Sequence, residues 1–148
     1  MNEKLLINKP AGSAIEKIAK QQFKGGEEPL FAVVGDLAIN SDYGEGAVYV
    51  TSDRIVAIGD GFDEGFISLD FANINEISVK RMYGNAVLKA KTTGGSTVDL
   101  MRFTFAVADI CDAVADFVTK VKEGESVEDR FAAVESTFRN MRSFCPKW

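Results

Sequence analysis

The spacing of apolar residues predicts three kinds of segment in succession. The first segment, from about residue 12 to 24, carries its apolar residues near helical spacing: Ile15, Ile18, Ala19 and Phe23. Ser13 is available as an N-terminal cap, and Gly25-Gly26 ends the pattern. We expect a short helix that packs on or covers the fold, because its apolar stripe is too narrow for a membrane-surface helix.

The second segment, from Pro29 to Phe103, alternates with a period of two and predicts β-strands. Ser52-Asp53 has the length of a hairpin turn, and a glycine-containing loop occupies 92–96. The predicted strands lie at 30–34, 47–51, 54–58, 66–71, 74–80, 86–91 and 97–103. No helical stretch separates them, so they predict an antiparallel meander that closes into a barrel or a sandwich.

After Thr104 the helical period returns and predicts two further helices. The first, at 105–122, has one continuous apolar face wide enough to cap the open end of a small barrel, and Gly124 ends it. Ser126 then begins a second helix with a narrower stripe: Val127, Phe131, Val134, Phe138, Met141 and Cys145. This helical stripe could pack on its own domain, pair with another copy, or lead into a following region.

Composition narrows the chemistry that such a fold could carry. The chain has 148 residues, of which 46% are hydrophobic and 26% charged, as in one ordinary globular domain. It contains no histidine, which excludes Ser-His-Asp and Cys-His catalysis and histidine-based metal sites. Of its two cysteines, Cys111 falls in the apolar register of a helix and is expected to be buried. The cysteine usage, with neither a signal peptide nor an apolar run of about 18 residues, favours a cytoplasmic location.

The net charge of −5 is distributed unevenly. Residues 25–71 carry ten acidic residues against the single Arg54, whereas residues 72–103 carry five basic residues against two acidic ones. An acidic chain repels nucleic acid unless a basic face is segregated, so no nucleic-acid partner is expected. The candidates for a basic face are the first helix and the stretch from Lys80 to Arg102.

Three local patterns could carry chemistry. The glycine-rich acidic segment 59–65 lacks the spacing of a phosphate loop or a calcium loop, so it predicts an acidic hairpin loop. Asp36 and Asp42 flank another loop and could act as paired carboxylates of a small enzyme only if they converge. Lys80-Arg81-Met82-Tyr83, the basic hairpin, puts two cations and an aromatic ring at a strand end. Such a cluster could grip a phosphate or a lipid headgroup, although exposed basic strand ends are common without any ligand.

Short sequence words add a resemblance to a known family. They are Glu28-Pro29-Leu30-Phe31-Ala32-Val33-Val34-Gly35-Asp36-Leu37, the turn Asp42-Tyr43-Gly44-Glu45, Val48-Tyr49-Val50-Thr51-Ser52-Asp53-Arg54-Ile55 and Leu100-Met101-Arg102-Phe103-Thr104. With the order of elements, they resemble the pleckstrin-homology-like (PH-like) region at the N-terminus of certain bacterial ABC exporters. Ser143-Phe144-Cys145-Pro146-Lys147 resembles the start of a zinc-ribbon knuckle. Trp148 stands where a second cysteine is expected, so either this likeness is accidental or the given sequence is a piece of a longer protein that completes the ribbon. No metal is expected for the sequence given.

The resemblance implies a mainly β fold with α-helices. It implies a seven-stranded antiparallel PH-like barrel or sandwich capped by a C-terminal helix, with an extra N-terminal helix and a second C-terminal helix. The chain then divides into an N-terminal helix and linker at 1–26, a PH-like domain at 27–124, and a C-terminal helix with the knuckle-like tail at 125–148.

The resemblance also implies a role without catalysis. It implies an accessory or regulatory domain of an ABC exporter that acts through protein contacts and needs no cofactor, and no phosphate-binding P-loop occurs in the sequence. The partner is the remainder of the transporter or a second copy, so a homo-oligomer stays open. The predicted partner-binding residues are, on the helical stripe, Phe131, Val134, Phe138 and Met141, and then, on the basic hairpin, Lys80, Arg81 and Tyr83.

Contact with the membrane is expected to be only indirect. PH domains that hold phosphoinositides use a basic first hairpin loop, whereas loop 40–46 of this chain is acidic. The alternative is a stand-alone bacterial PH-like protein that self-assembles or binds a membrane surface, at the inner face of the plasma membrane.

Overall fold

A computed structural model describes residues 5–36 and 46–144, with the backbone alone from residue 141 onward. All the strands and helices that the sequence predicts are present, and one short strand is additional. The strands are β1 (Leu6–Ile7), β2 (Phe31–Val34), β3 (Ala47–Val50), β4 (Arg54–Ile58), β5 (Phe66–Asp70), β6 (Ile74–Met82), β7 (Asn85–Thr92) and β8 (Thr97–Phe103). The helices are α1 (Ser13–Gln22), α2 (Ala108–Lys122) and α3 (Val127–Phe144), with single 3₁₀ turns at Phe71–Asn73 and Phe105–Val107.

The strands form two sheets rather than a closed barrel. Of the two architectures predicted, barrel or sandwich, the closed barrel is therefore wrong. In the described residues, β1 to β5 form one sheet in chain order, and β6 to β8 form a second. The 3₁₀ turn Phe71–Asn73 carries the chain from the first sheet to the second, and no hydrogen-bonded pairing joins β5 to β6. Every described pairing is antiparallel except that of β1, the strand that the sequence did not predict, with β2.

The main core lies between the two sheets and the two C-terminal helices. Phe31 of β2 is fully buried, and its ring meets Phe117 of α2 edge to face at 5.1 Å between centroids. Leu88 and Phe103 contribute from the three-stranded sheet, and Phe138 contributes from α3. Edge-to-face aromatic pairs of this kind stabilise a core by about 0.5–1.5 kcal/mol beyond the area they bury.

The five-stranded sheet is buried on its other face as well. Ile15 and Ala19 of α1 pack with Tyr49 and Ile58 in a second apolar cluster. Helix α1 is therefore a packing helix, as predicted. Burial on both faces explains why β2 and β3 are apolar at every position instead of alternating with polar residues.

Helix α3 docks on α2 and completes the main core. Val134 and Phe138 are 2% and 1% exposed, and the ring of Phe131 lies 6.2 Å from that of Phe31. The predicted boundaries after residues 26 and 124 stay predictions, but neither flanking helix stands apart from the core.

Candidate interaction surfaces

The turn between β3 and β4 contains the most specific sequence word, and its role is structural. The Thr51 hydroxyl accepts hydrogen bonds from the backbone N–H groups of Asp53 and Arg54, at 3.2 and 2.9 Å. It also lies 3.1 Å from the Asp53 carboxylate. A side-chain-capped turn of this kind fixes the register of the hairpin.

Arg54 then ties α1 and its following loop to the first sheet. Its guanidinium donates to the Glu27 carboxylate at 2.7 and 3.0 Å, to the Gln22 carbonyl at 2.8 Å and to the Ser68 hydroxyl at 2.9 Å. It also lies over the Phe23 ring, 5.0 Å from the centroid. Sequence reasoning missed this role, because Gln22 and Ser68 are brought to Arg54 only by the fold.

Asp36, one of the two carboxylates considered for a small enzyme, makes structural hydrogen bonds instead. The Asp36 carboxylate accepts hydrogen bonds from the backbone N–H and the hydroxyl of Thr104, at 2.8 and 2.6 Å. It thereby fixes the start of the 3₁₀ turn that leads into α2. Asp42, its proposed companion, lies outside the described residues, as does most of loop 40–46.

The loop between β4 and β5 is the acidic hairpin that the sequence predicts. The N–H of Gly59 donates to the Gly65 carbonyl at 2.9 Å, and the N–H of Gly65 donates to Phe62 at the same distance. These bonds close the loop on itself. In the described part of the chain, no group of three acidic or cysteine side chains could hold a metal ion.

Cys111 is buried, as predicted. Its side chain lies in the main core and is inaccessible to solvent. Burial raises the pKa of its thiol, and the negative charges of Asp112 and Asp36 raise it further. A thiol held protonated in this way is a poor nucleophile. The other cysteine, Cys145, lies outside the described residues.

The helical stripe lies mostly within the chain's own core. Of the three interpretations, packing on its own domain is the one that the structure shows for Val134 and Phe138, so the partner-binding assignment is revised for these two residues. These two residues are buried because the helical stripe packs into the cleft between β2 and α2. The centroids of the Phe31 and Phe138 rings are accordingly 6.4 Å apart. Phe131 is half-buried, and the side chain of Met141 is outside what the structure describes.

Lys80, Arg81 and Tyr83 of the basic hairpin are exposed, and Met82 is partly buried. Tyr83 is fully exposed at the tip between β6 and β7, where Gly84 adopts a φ of +82° that the tight turn requires. Arg81 is oriented by Asp112 of α2, with 2.9 Å between its nitrogen and the carboxylate. This ion pair raises the pKa of Arg81. Lys80 is exposed on the neighbouring position of β6.

The outer face of the three-stranded sheet continues this positive region. Lys80 and Arg102 are both register partners of Val87, so they lie on the same face of the sheet as Lys89 and Lys91. The opposite face carries the core residues of β7. Asp99 neutralises Lys89 across the sheet at 2.8 Å. Four basic residues of this stretch thus lie on one face, where Glu76 is the register partner of Lys91, whereas Arg81 lies on the opposite side with Asp112.

A groove runs along the seam between β6 and α2. Two adjoining depressions of about 390 and 400 Å³ make it up, and they share Ile77 and Thr119. A third depression, of about 520 Å³, adjoins them at Lys122 but is lined by the β3–β4 turn and the 3₁₀ turn Phe71–Asn73. We call the groove made by the first two depressions the seam groove. Apolar side chains from Ile74 and Val118 line its larger depression.

Carboxylates line the seam groove along its length. Asp116 and Glu123 lie on the α2 side, and Glu76 lies on the β6 side. Sequence reasoning missed this surface. The spacing of Asp112, Asp116 and Glu123 could have indicated an acidic edge beside the apolar face of α2, but nothing in the sequence places β6 next to it.

Comparisons with known proteins agree with this architecture. The profile of the family described as bacterial PH domain matches residues 23–116. One solved structure, the C-terminal domain of an unknown protein from Leishmania infantum, superposes with a TM-score of 0.50. It is 18% identical, and the alignment covers 71% of this chain and 98% of that one, so the likeness concerns the fold alone. No curated protein matches the chain. No helix in the described ranges is long and apolar enough to cross a membrane.

Proposed function

Since the chain belongs to the bacterial PH domain family, we propose that it is a non-catalytic binding domain that serves as an accessory, regulatory region of a bacterial ABC exporter. It acts through protein–protein contacts on the cytoplasmic side of the membrane. The basic hairpin, with Lys80, Arg81 and Tyr83, makes the contact.

The exposure of Tyr83 carries this proposal. An aromatic ring with 103% relative exposure stands on a two-residue turn, so the fold holds it in solvent without any packing of its own. Tyrosine and arginine dominate the energetics of protein interfaces, because each combines a large contact area with directional hydrogen bonding. The ion pair with Asp112 of α2 fixes the Arg81 side chain, which reduces the ordering cost on binding.

The exporter setting is supported by the sequence words that carry the resemblance. The described parts of those words have structural roles in the fold, as Asp36 has in fixing Thr104 and Arg54 has in anchoring α1. They explain why the domain folds as it does. The transporter as partner remains a proposal that rests on the resemblance.

The experiment that tests the proposal is site-specific photocrosslinking in bacterial cells. The photoreactive residue p-benzoylphenylalanine replaces Tyr83, and in a matched control it replaces Glu64, which is exposed in the acidic β4–β5 loop. We expect position 83, and not position 64, to crosslink to a polypeptide that mass spectrometry identifies as having transporter spans and a nucleotide-binding domain. Equal crosslinking from both positions, or crosslinks to unrelated proteins, would contradict the proposal.

A second candidate function is favoured by the positive outer face of the three-stranded sheet. Lys80 and Arg102 share this face toward the end of the hairpin that carries the exposed Tyr83, and Lys91 lies on the same face at the other end, opposite Glu76. Such a surface suits an anionic membrane. The chain would then be a stand-alone PH-like protein at the inner face of the plasma membrane. Co-sedimentation with vesicles of phosphatidylglycerol and phosphatidylethanolamine at physiological salt supports this alternative, and its loss in Lys91→Glu would localise it. Absence of co-sedimentation removes it.

A further inference from the structure

We propose that the N-terminal arm of this chain, β1 and α1 at residues 5–22, exchanges with the same arm of a second copy to form a symmetric dimer. In that dimer each arm leaves its own five-stranded sheet and covers the same face of the other copy's sheet. This uses a different surface from the accessory role proposed above, so either can hold without the other.

The face of the five-stranded sheet beneath the arm is apolar. Val34, Tyr49 and Ile58 are at most 1% exposed, and they lie in the cluster that α1 covers with Ile15 and Ala19. Uncovering such a face in water is unfavourable, because the hydrophobic effect scales with the apolar area exposed. An arm that opens therefore leaves a surface that another apolar element has to fill.

The element that matches this surface is the arm of a second copy. Strand β1 pairs in parallel with β2, with Ile7 beside Ala32. The Asn8 side-chain amide donates to the Val34 carbonyl at 2.9 Å and accepts from the Val34 N–H at 2.7 Å. A second copy carries the same residues, so the exchanged arm remakes the strand pairing and both amide hydrogen bonds.

The arm lies outside the part of the chain that defines the family domain. The family match begins at residue 23, just after α1 ends at Gln22. Among the described residues, the main core between the two sheets and the C-terminal helices includes none from α1, and Leu6 of β1 only borders it. The arm can therefore open while the main core stays intact.

The connection between the arm and β2 has the properties of a hinge. Gly25 and Gly26 are exposed, and no neighbouring atom occupies the place where either would carry a side chain. Gly26 has a φ of +91°, which glycine adopts without steric cost. Glu27, which pairs with Arg54, and the buried Pro29 then join the chain to the sheet. A backbone change at the two glycines can therefore redirect the arm while the residues that follow stay in place.

Disulfide trapping reports which copy an arm covers. Ile7→Cys with Ala32→Cys puts two thiols on paired residues of β1 and β2. Neighbouring strands lie about 4.8 Å apart, which a disulfide spans. Cys145→Ser removes a competing thiol, and Cys111 stays buried and protonated. In a closed chain the disulfide forms within one polypeptide, whereas in the exchanged dimer it links two, and non-reducing electrophoresis separates these products.

The protein is equilibrated at a low and at a high concentration before oxidation. We expect the ratio of linked dimer to internally bridged monomer to rise at least tenfold between about 10 µM and about 1 mM, because exchange requires two chains. Ile7→Cys without the second cysteine is the matched control for random collisions, and it should give less than a tenth of that linked dimer. Internal bridges alone at every concentration, or as much linked dimer from the control, would overturn the proposal.

Hinge length gives a second test that needs no engineered cysteine. Deletion of Gly25 and Gly26 hinders the arm from folding back, so the dimer dissociation constant from light scattering should fall at least tenfold. Insertion of four glycine and serine residues after Gly26 should raise that constant at least tenfold, because a longer hinge lets the arm close on its own sheet.

The matched control is the same insertion between Gly94 and Gly95, in the exposed β7–β8 loop. It should leave the dimer dissociation constant within threefold of the wild type. Thermal melting checks that each variant retains the fold, and the two insertions decide the question if the deletion variant does not fold. Equal effects of the two insertions would show that any dimer forms through another surface, and they would overturn the proposal.

Discussion

Replacing Arg54 by alanine should destabilise the domain more than replacing any exposed arginine. The guanidinium makes hydrogen bonds to one backbone carbonyl, one hydroxyl and one carboxylate, and it stacks over Phe23. Its side chain is 17% exposed, whereas that of Glu27 is 39% exposed. The alanine variant leaves the Gln22 carbonyl without its donor and removes the packing on Phe23.

The magnitude follows from the individual contacts. A hydrogen bond from a charged donor to the Gln22 carbonyl contributes about 1.5–3 kcal/mol, and the cation–π contact contributes about 0.5–1 kcal/mol. Solvent reduces the ion pair with half-exposed Glu27 to about 0.5–1 kcal/mol. These terms share one guanidinium and do not add fully, so we expect a loss of about 2–4 kcal/mol in the free energy of unfolding. A loss of that size lowers the melting temperature by about 2–4 °C for each kcal/mol.

Urea unfolding followed by circular dichroism measures this loss. Arg81→Ala is the matched control, because Arg81 has one ion pair that is open to solvent. It should lower the free energy of unfolding only slightly, since solvent screens an exposed ion pair. Arg54→Lys retains the charge but not the planar fork, so it should lie between the two. Limited trypsin digestion should cut the Arg54→Ala variant faster within residues 12–24, since α1 loses its anchor. Equal stabilities of Arg54→Ala and Arg81→Ala would refute this account.

Three further predictions concern the interior and the start of α2. Phe138→Ala should lower the free energy of unfolding by about 3–5 kcal/mol, because it opens a cavity in the main core. A melting temperature equal to that of the wild type would show that α3 is not needed for the core and is available to dock on a partner. The raised pKa of Cys111 means that the unfolded chain loses this proton above about pH 8.5 while the folded chain keeps it. Stability should therefore fall by about 1.4 kcal/mol per pH unit above that value, and Cys111→Ala should remove this part of the slope. Asp36→Ala should cost about 1–3 kcal/mol through the two lost bonds to Thr104, whereas Asp60→Ala in the exposed loop should stay within about 0.5 kcal/mol of the wild type.

Local pattern was sufficient to predict the elements of the fold but not how they pair. The predicted strand at 54–58 coincides with β4, and the predicted helix at 105–122 coincides with the second 3₁₀ turn and α2. Each of these depends on periodicity within one segment. The break between β5 and β6, and the extra pairing of Leu6 with Phe31, depend on contacts between distant segments. Apolar spacing alone does not specify such contacts.

Surface residues that are neighbours in the sequence could be predicted as a group, whereas surfaces built from distant segments could not. The basic hairpin is contiguous in sequence, so Lys80, Arg81 and Tyr83 were recognisable together. The helical stripe was recognisable too, but a narrow apolar stripe looks the same whether a partner or the chain's own core covers it. Only the burial of Phe138 decides between them.

Strand register explains why a chain that is acidic overall presents both a basic face and an acidic groove. Within β6 to β8, alternation sends Lys80, Lys91 and Arg102 to the outer face, opposite the core. The acidic residues of α2 flank its buried face, so Asp116 and Glu123 come to lie at the seam with β6. Thus β6 separates the positive face from the acidic residues of α2, and Glu76, the register partner of Lys91, lies at the boundary between them. Charge reversal on the acidic side, as in Asp116→Lys, should therefore change vesicle co-sedimentation through the positive face by less than a factor of about three at physiological salt, where charges more than about 8 Å apart are largely screened.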